Sequence, residues 1–157
     1  MNRADIIRGM LIYGAGDGLA AWLGGEFSWS RFAGMAGIGA TVYAFEVPAW
    51  FRRIDRTAPA GGGAASWRRT GWALLYFNPL WIARHLLFIR VFSGNFDQIN
   101  MSLLSVGAKS FFFNIPLSVT ANWLIQNRLP QSFRFTASAL FSAAMAVYYA
   151  WSGRWFQ

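Results

Sequence analysis

The sequence contains no cysteine, a single histidine and only six acidic residues among 157. Without cysteine there is no disulfide framework, no thiolate metal site and no cysteine nucleophile. The one histidine and the scattered carboxylates form no metal-binding or nucleophile–base pattern, and no phosphate-binding glycine loop is present. We therefore predict that the protein is not an enzyme and has neither catalytic nor metal-ligating residues. Whether it binds a cofactor stays open at this point.

Charged residues are also scarce, at 13% of the chain, whereas 55% of the residues are hydrophobic. A soluble domain of this size would need more charge to cover its surface. The predicted partner is therefore the lipid bilayer, and residues 1–157 are predicted to form one transmembrane helical-bundle domain. All basic residues except Lys109 are arginine, a bias typical of GC-rich bacterial genomes. We expect a multi-pass protein of the bacterial cytoplasmic (inner) membrane.

Several long apolar stretches define the predicted fold class. About 18 consecutive apolar residues are enough for a transmembrane helix, and five stretches fit or come close, at 6–23, 32–51, 72–92, 103–124 and 135–151. The prediction is an all-α membrane protein with about five transmembrane helices. Residues 52–69 are predicted to form an arginine-rich loop around a flexible linker at 58–63. At the end of the last stretch, Tyr148, Tyr149 and Trp151 predict an interfacial aromatic belt.

The placement of the positive charge indicates an orientation. The net charge of +8 is compatible with phosphate binding, but cytoplasmic loops of membrane proteins also carry an excess of arginine. If five segments cross, the side of the N-terminus holds many more arginines than the other. We therefore predict a cytoplasmic N-terminus, an external C-terminus and no nucleic-acid partner. The first side holds Arg3, Arg8, Arg52, Arg53, Arg56, Arg68, Arg69, Arg128 and Arg134, and the second holds Arg31, Arg90 and Arg154.

An internal repeat is predicted from two stretches that align without a gap, 39–48 and 107–116. Both begin with Gly-Ala, end with proline and carry a polar residue two positions before it, Glu46 in one and Asn114 in the other. The sequences at 25–27 and 94–96 match at nearly the same distance upstream. We predict two tandem two-helix repeats, at about 6–55 and 72–128, followed by an extra helix at about 135–151.

Tandem helix pairs share one orientation, which gives a pseudo-two-fold axis along the membrane normal, a plan known among transporters. Proline frees a backbone carbonyl one turn earlier in the helix. Polar side chains beside such carbonyls can form a site near the axis of a bundle.

Scattered residues carry a resemblance to a known family. Gly14 to Asp17 resemble its first helix, and Arg31, Gly39, Trp50, Phe51 and Asp55 resemble its second helix. Near the other end, its pattern is similar at Pro116, Asn122, Pro130, Arg134, Tyr148 and Trp151. The family is the Mpv-seventeen/PMP-twenty-two family of small membrane proteins. The resemblance implies channel-like behaviour without a defined substrate.

A weaker resemblance concerns residues 94–99 together with Asn122. They are similar to the second half of the bacterial L-alanine exporter family, which also consists of two similar halves. This resemblance implies a small transporter-like bundle.

Ionisable groups at membrane depth are costly and are therefore functional candidates. We predict a substrate or ion path in which Asp17 and Glu46 are proton or cation sites. Arg84 or Lys109 would be their partners or contact anions, and Asn114 would lie beside them. The alternative is buried ion pairing that only fixes helix register, and for Arg84 and Lys109 also snorkelling toward an interface.

Three further polar residues are candidates for ligand binding or for structural contacts. His85 could ligate a haem or chlorophyll-type pigment, although a polar contact is the commoner role of a lone membrane histidine. Asn78 and Asn122 are expected to bond across helices more often than to bind cargo.

Two functions follow from this sequence. The first is a transporter- or channel-like bundle that moves a small solute. The second is a non-catalytic accessory subunit that stabilises or assembles a larger membrane complex. Its partners would be larger membrane subunits or further copies of the chain, and the apolar run at 111–113 could dock against them.

Overall fold

A computed structural model describes residues 2–59 and 61–152, with side chains as far as 148. This part of the chain is helical and contains no strand. The elements are α1 (Arg3–Gly24), α2 (Trp29–Ile38), a π-helical turn (Gly39–Tyr43), α3 (Ala44–Thr57), α4 (Gly62–Tyr76), α5 (Pro79–Ser93), a 3-10 turn (Phe96–Gln98), α6 (Ser102–Arg128) and α7 (Gln131–Ser152).

The helical character of all five predicted segments is confirmed. The segment 32–51 lies within the unbroken helical run of α2, the π turn and α3. The prediction of one helix at 72–92 is wrong, because α4 ends at Tyr76 and Asn78 caps the start of α5. The predicted aromatic belt falls partly outside the described side chains, at Tyr149 and Trp151, and Arg154 lies outside the described residues.

The predicted arginine-rich loop at 52–69 is wrong. Helix α3 continues to Thr57 and α4 begins at Gly62, so that the connection is confined to 58–61. Arginine is a good helix former, and Arg69 on α4 is buried against the end of α3 rather than solvated. The composition rich in glycine and arginine therefore gave no indication of two helices joined by a short connection.

Local sequence explains where the helices begin and end. Asn2 and Ser28 cap α1 and α2, because each side-chain oxygen accepts a backbone N–H of the first turn. Asn78 caps α5 in the same way, with Pro79 in the first turn. Gly25 and Gly94 end α1 and α5 in the left-handed conformation, at φ 76° and 74°.

The described chain divides into two compact units, Met1–Glu46 with Phe135–Gln157, and Val47–Arg134. In the first unit, α1 packs against α2 and the π turn. A Cβ on Gly14 would lie 3.0 Å from the Cβ of Ala36, and one on Gly16 would overlap Ala143 of α7. Glycine at these positions therefore permits close helix packing.

In the second unit, α6 packs against both α4 and α5. A Cβ on Gly107 would lie 2.6 Å from the carbonyl oxygen of Pro79, so that α5 and α6 are in close contact there. Between α3 and α4, Trp50 Nε1 donates to the Trp72 carbonyl at 2.9 Å. The core of this unit includes Phe51 and Ile54, each about 1% exposed.

One helix of the described chain, α6, is long and apolar enough to cross a membrane by length and composition. Only 6% of its most apolar stretch is buried inside the protein. Phe112 and Phe113 on this helix are 66% and 86% exposed. The apolar surface of α6 therefore faces outward.

Candidate functional site

An ion pair in the first unit joins α1 to α2. Arg31 Nε donates to Asp17 Oδ2 and Arg31 Nη2 to Asp17 Oδ1, both at 2.8 Å. Both residues are buried, and Glu26 lies 3.5 Å from the same guanidinium. This bidentate geometry satisfies the planar fork of arginine and both carboxylate oxygens.

The pair corrects the prediction that Arg84 or Lys109 would be the partner of Asp17. The prediction placed Arg31 just before the segment 32–51 and counted it among the charges outside the membrane spans. Ser28 instead starts α2 before Arg31, which brings the arginine onto the buried face of the helix. In this pair the positive charge of Arg31 neutralises the carboxylate that the prediction assigned to a proton or cation.

A second ionic cluster, in the other unit, is centred on Asp55. One oxygen of this carboxylate accepts a hydrogen bond from Arg69 Nη2 and another, at 2.7 Å, from Arg134 Nη1. The side chains of both arginines are largely buried, at 3% and 11% exposure, whereas Asp55 is 30% exposed. Two guanidinium groups share one carboxylate, so that the cluster carries a net charge of about +1.

Arg69 also fastens the ends of two helices to this cluster. Its Nη1 donates to the carbonyl oxygen of Ala58 at 2.8 Å, and its Nε and Nη2 both donate to the carbonyl oxygen of Gln126. Arg134 Nε donates to the Leu129 carbonyl at 2.9 Å. The ends of α3 and α6, the start of α7 and the middle of α4 therefore meet around one charged group.

The electrostatics of the cluster keep Asp55 ionised. Partial burial alone would raise the pKa of the Asp55 carboxyl. Hydrogen bonds from Arg134 and Arg69, together with their charges, outweigh this effect and hold the pKa below its usual 3.8. The group therefore stays a carboxylate at neutral pH.

Beside this cluster, α6 carries two buried amides one turn apart, Asn122 and Gln126. Gln126 is fully buried, and neither its Oε1 nor its Nε2 has a hydrogen-bond partner among the described residues. Asn122 Nδ2 donates to Ser118 on its own helix, while its Oδ1 is buried and also unpaired in the described part of the chain. Buried polar atoms without partners cost free energy and therefore mark a site that water or a ligand can satisfy.

The other predicted path residues are divided between the two units. Asp17 and Glu46 belong to the first unit, and Glu46 is half-buried. Arg84, Lys109 and Asn114 belong to the second unit, where Lys109 is exposed on α6. A single path through all five residues stays a prediction.

The predicted polar contacts are mostly local. Asn114 Nδ2 donates to Ser110 within α6 at 2.7 Å, and Asn78 caps its own helix. Asn78 Nδ2 donates to the Leu75 carbonyl at the end of α4, so that this side chain joins α4 to α5, whereas Asn122 Nδ2 donates within α6. His85 stacks on Trp81 with ring centroids 5.5 Å apart. Pigment or haem binding by His85 stays untested.

Sequence reasoning missed the Asp55 cluster and Gln126 as site residues. Asp55 and Arg134 are 79 positions apart and Arg69 and Gln126 are 57 apart, so no local pattern links them. One indication was available, since the family resemblance was carried by Asp17, Arg31, Asp55 and Arg134. These four residues form the two acid–arginine contacts described above.

Comparisons with known proteins do not assign the chain to a family. Neither a family model, nor a curated protein, nor a solved structure matches this chain.

Proposed function

We propose that the protein is an integral membrane helix bundle that conducts a small, uncharged polar solute through its second unit. The proposal is carried by the amide pair, Asn122 and Gln126, in which Asn122 Oδ1, Gln126 Oε1 and Gln126 Nε2 are buried without hydrogen-bond partners in the described chain. The pair lies on α6, a helix whose apolar surface faces outward. In a bilayer, large apolar side chains on the outside contact lipid, and polar groups inside must be satisfied by protein, water or cargo.

The distribution of apolar and polar side chains supports the membrane setting. Large hydrophobic residues are exposed on α1 and α6, among them Leu11 at 60% and Phe113 at 86%. Charged and amide side chains are buried instead, including Arg69 at 2% and Gln126 at 0%. A protein folded in water would bear the cost of both features, whereas lipid removes the first cost.

The chemistry of the amide pair indicates the solute class. Two unpaired carbonyl-type oxygens accept hydrogen bonds, and the Gln126 Nε2 group donates them. Neither amide carries charge, so that the pair suits a neutral molecule with both donors and acceptors, such as a small amide or urea. An anion would meet two acceptors, and a divalent cation would need carboxylates.

In this proposal the Asp55 cluster closes the end of the solute path. Arg69 binds the carbonyl of Gln126, whose side chain belongs to the amide pair. The same arginine and Arg134 hold Asp55, so that the cluster connects α3, α4, α6 and α7. Weakening these contacts would let the helix ends separate, and we therefore expect the cluster to restrict flux rather than to bind the solute.

The proposed duplication of two helix pairs gains support from their turns. The backbone N–H of Glu26 donates to Ala21 at 2.8 Å, and that of Asn95 donates to Arg90 at 3.0 Å, each across a left-handed glycine. Further along, Gly39 and Gly107 each lie against the preceding long helix of their own pair. A tandem repeat of this kind is common among transporters, and the family resemblance remains compatible with it.

The experiment is osmotic flux in liposomes. The purified chain is reconstituted, the vesicles are mixed rapidly with acetamide or urea, and swelling is followed by light scattering. We expect faster entry than in empty vesicles, and Gln126→Met should abolish most of the increase. Because the variant removes an unpaired buried polar group, its unfolding free energy should be unchanged or higher.

Gln98→Met is the matched control, since Gln98 is exposed in the 3-10 turn and should leave flux unchanged. Asp55→Asn should raise the flux if the cluster closes the path. Equal entry in empty and protein-containing vesicles, or flux unaffected by Gln126→Met, would overturn the proposal.

A second candidate function is a non-catalytic accessory subunit of a larger membrane complex. The adjacent and strongly exposed Phe112 and Phe113 favour it, because they form an apolar projection in the middle of α6. Purification from the native membrane in mild detergent separates the two functions. Stoichiometric recovery of larger membrane subunits, lost on Phe113→Ala, would favour the accessory role.

A further inference from the structure

Five exposed arginines surround the Asp55 cluster at one end of the second unit. Arg52, Arg53 and Arg56 lie on the last turns of α3, Arg68 lies on α4 beside the buried Arg69, and Arg128 ends α6. These positions belong to the helices that the contacts of Arg69 and Arg134 join. We call this surface the arginine end.

The charge of the arginine end is unbalanced. With Arg69 and Arg134 it contains seven arginines, while Asp55 is the one carboxylate in 52–69 and 126–134. The resulting net charge of about +6 is most of the +8 carried by the whole chain. Because the carboxylate is already bound to two guanidinium groups, it leaves the five exposed arginines without neutralisation from this part of the chain.

Tryptophan side chains accompany these arginines. Trp67 precedes Arg68 and is 61% exposed. The guanidinium of Arg53 lies 5.9 Å from the Trp50 ring centroid, and that of Arg128 lies 5.2 Å from the Trp123 ring centroid. Tryptophan next to arginine is typical of the headgroup region of a bilayer, where the ring is partly in lipid and the cation meets phosphate.

We propose that the arginine end binds the headgroups of anionic phospholipids in the leaflet that it faces. The inference rests on the membrane insertion proposed above but not on solute conduction. Lipid is favoured over a dissolved anion because the exposed Trp67 offers an apolar contact that the acyl chain of a lipid can use and a dissolved anion cannot. The phosphate is held by several exposed arginines, so that affinity follows their number and falls with ionic strength.

The test compares lipids on the intact purified chain. The protein in a neutral detergent is titrated with phosphatidylglycerol or with phosphatidylcholine, and retained lipid is counted by native mass spectrometry while thermal unfolding is recorded. We expect selective retention of phosphatidylglycerol and a rise in Tm that decreases in high salt. Each juxtamembrane arginine contributes about a fivefold change in affinity, so that Arg53→Gln with Arg56→Gln should weaken binding about 25-fold.

Arg90→Gln with Lys109→Gln is the matched control, because it removes two cations from the same unit. Lys109 precedes Arg128 by 19 residues on α6, which places it roughly 28 Å away along the helix. This control should retain phosphatidylglycerol as the wild type does. Equal retention of both lipids, or equal loss in both double variants, would overturn the inference.

Two further probes separate the sources of the anion. Inorganic phosphate and a short single-stranded oligonucleotide are added at the same ionic strength. If either one displaces phosphatidylglycerol or raises Tm to the same extent, the site is a general anion site and the lipid assignment is wrong. If the chain sediments with membranes but does not distinguish the two lipids, this inference is wrong and the proposed membrane function stands. If the chain stays dispersed without detergent, the proposed membrane function is wrong.

Discussion

Replacing Asp55 by Asn tests whether the cluster holds the helix ends together. The substitution keeps the size of the side chain but removes the charge that Arg69 and Arg134 share. Removing one partner of a buried ion pair typically costs about 3–5 kcal/mol, because the remaining charge stays buried. Two buried arginines would remain here, but the 30% exposure of Asp55 lets water compensate in part. We therefore expect a loss of about 3 kcal/mol in the free energy of unfolding.

The assay is reversible unfolding in mixed micelles. The purified chain in a mild detergent is titrated with dodecyl sulfate, and the change in tryptophan fluorescence gives the free energy of unfolding. Asp97→Asn is the matched control, since Asp97 is exposed in the 3-10 turn and should change stability by less than about 0.5 kcal/mol. A loss for Asp55→Asn no larger than that of the control would refute the reasoning.

A double variant separates charge balance from lost hydrogen bonds. Asp55→Asn combined with Arg134→Gln removes one positive charge from the unbalanced cluster. The pair should therefore recover about 1 kcal/mol relative to Asp55→Asn alone, because only Arg69 then remains charged without a carboxylate. If the two losses simply add, Asp55 and Arg134 are not coupled and their contact does not stabilise the protein.

Three further expectations use the same unfolding assay. Asp17→Asn should cost about 3 kcal/mol, and combining it with Arg31→Gln should cost less than the sum of the two single losses; strict additivity would contradict the bidentate pair. Gly16→Val should cost about 2 kcal/mol or more because its side chain would overlap α7, whereas Gly37→Val, with open space around it, should cost much less. As pH falls below about 4 the wild type should lose stability, since the pKa of Asp55 is depressed and protonation breaks its ionic contacts; Asp55→Asn should lack this part of the pH dependence, and an identical acid profile in both proteins would contradict the assignment.

The helices could be predicted from the sequence because their determinants are local. Apolar stretches of sufficient length locate most of the helices without reference to distant residues. The capping signal of Asn78 before Pro79 is also local, but it lay inside the predicted segment 72–92 and the break there was not predicted. The failure at 52–69 has a physical cause as well. Glycine and arginine suggested a solvated linker, but Arg69 is buried because its guanidinium donates to the carbonyl oxygens of Ala58, just after α3, and of Gln126 on α6.

The candidate site could be predicted only in part. Asp17 was identified because a carboxylate inside an apolar segment is costly on its own. Its partner Arg31, by contrast, depends on how α1 and α2 pack. Gln126 was overlooked because an amide near the end of an apolar segment is unremarkable in sequence. Its importance arises from full burial without hydrogen-bond partners in the described chain, which is a property of packing alone.

The two acid–arginine contacts have different consequences for function. Asp17 and Arg31 form a bidentate pair in which the two charges neutralise each other, so that this pair can fix the register of α1 and α2. Asp55 is divided between two arginines, and this leaves one positive charge in excess. The Asp55 cluster, which has the excess charge, also contacts Gln126, because Arg69 donates to the Gln126 carbonyl. The side-chain amide of Gln126 is buried and unpaired in the described chain. Excess charge and unpaired polar atoms both lower stability, and their joint occurrence at one helix end is the reason for expecting conduction in the second unit rather than in the first.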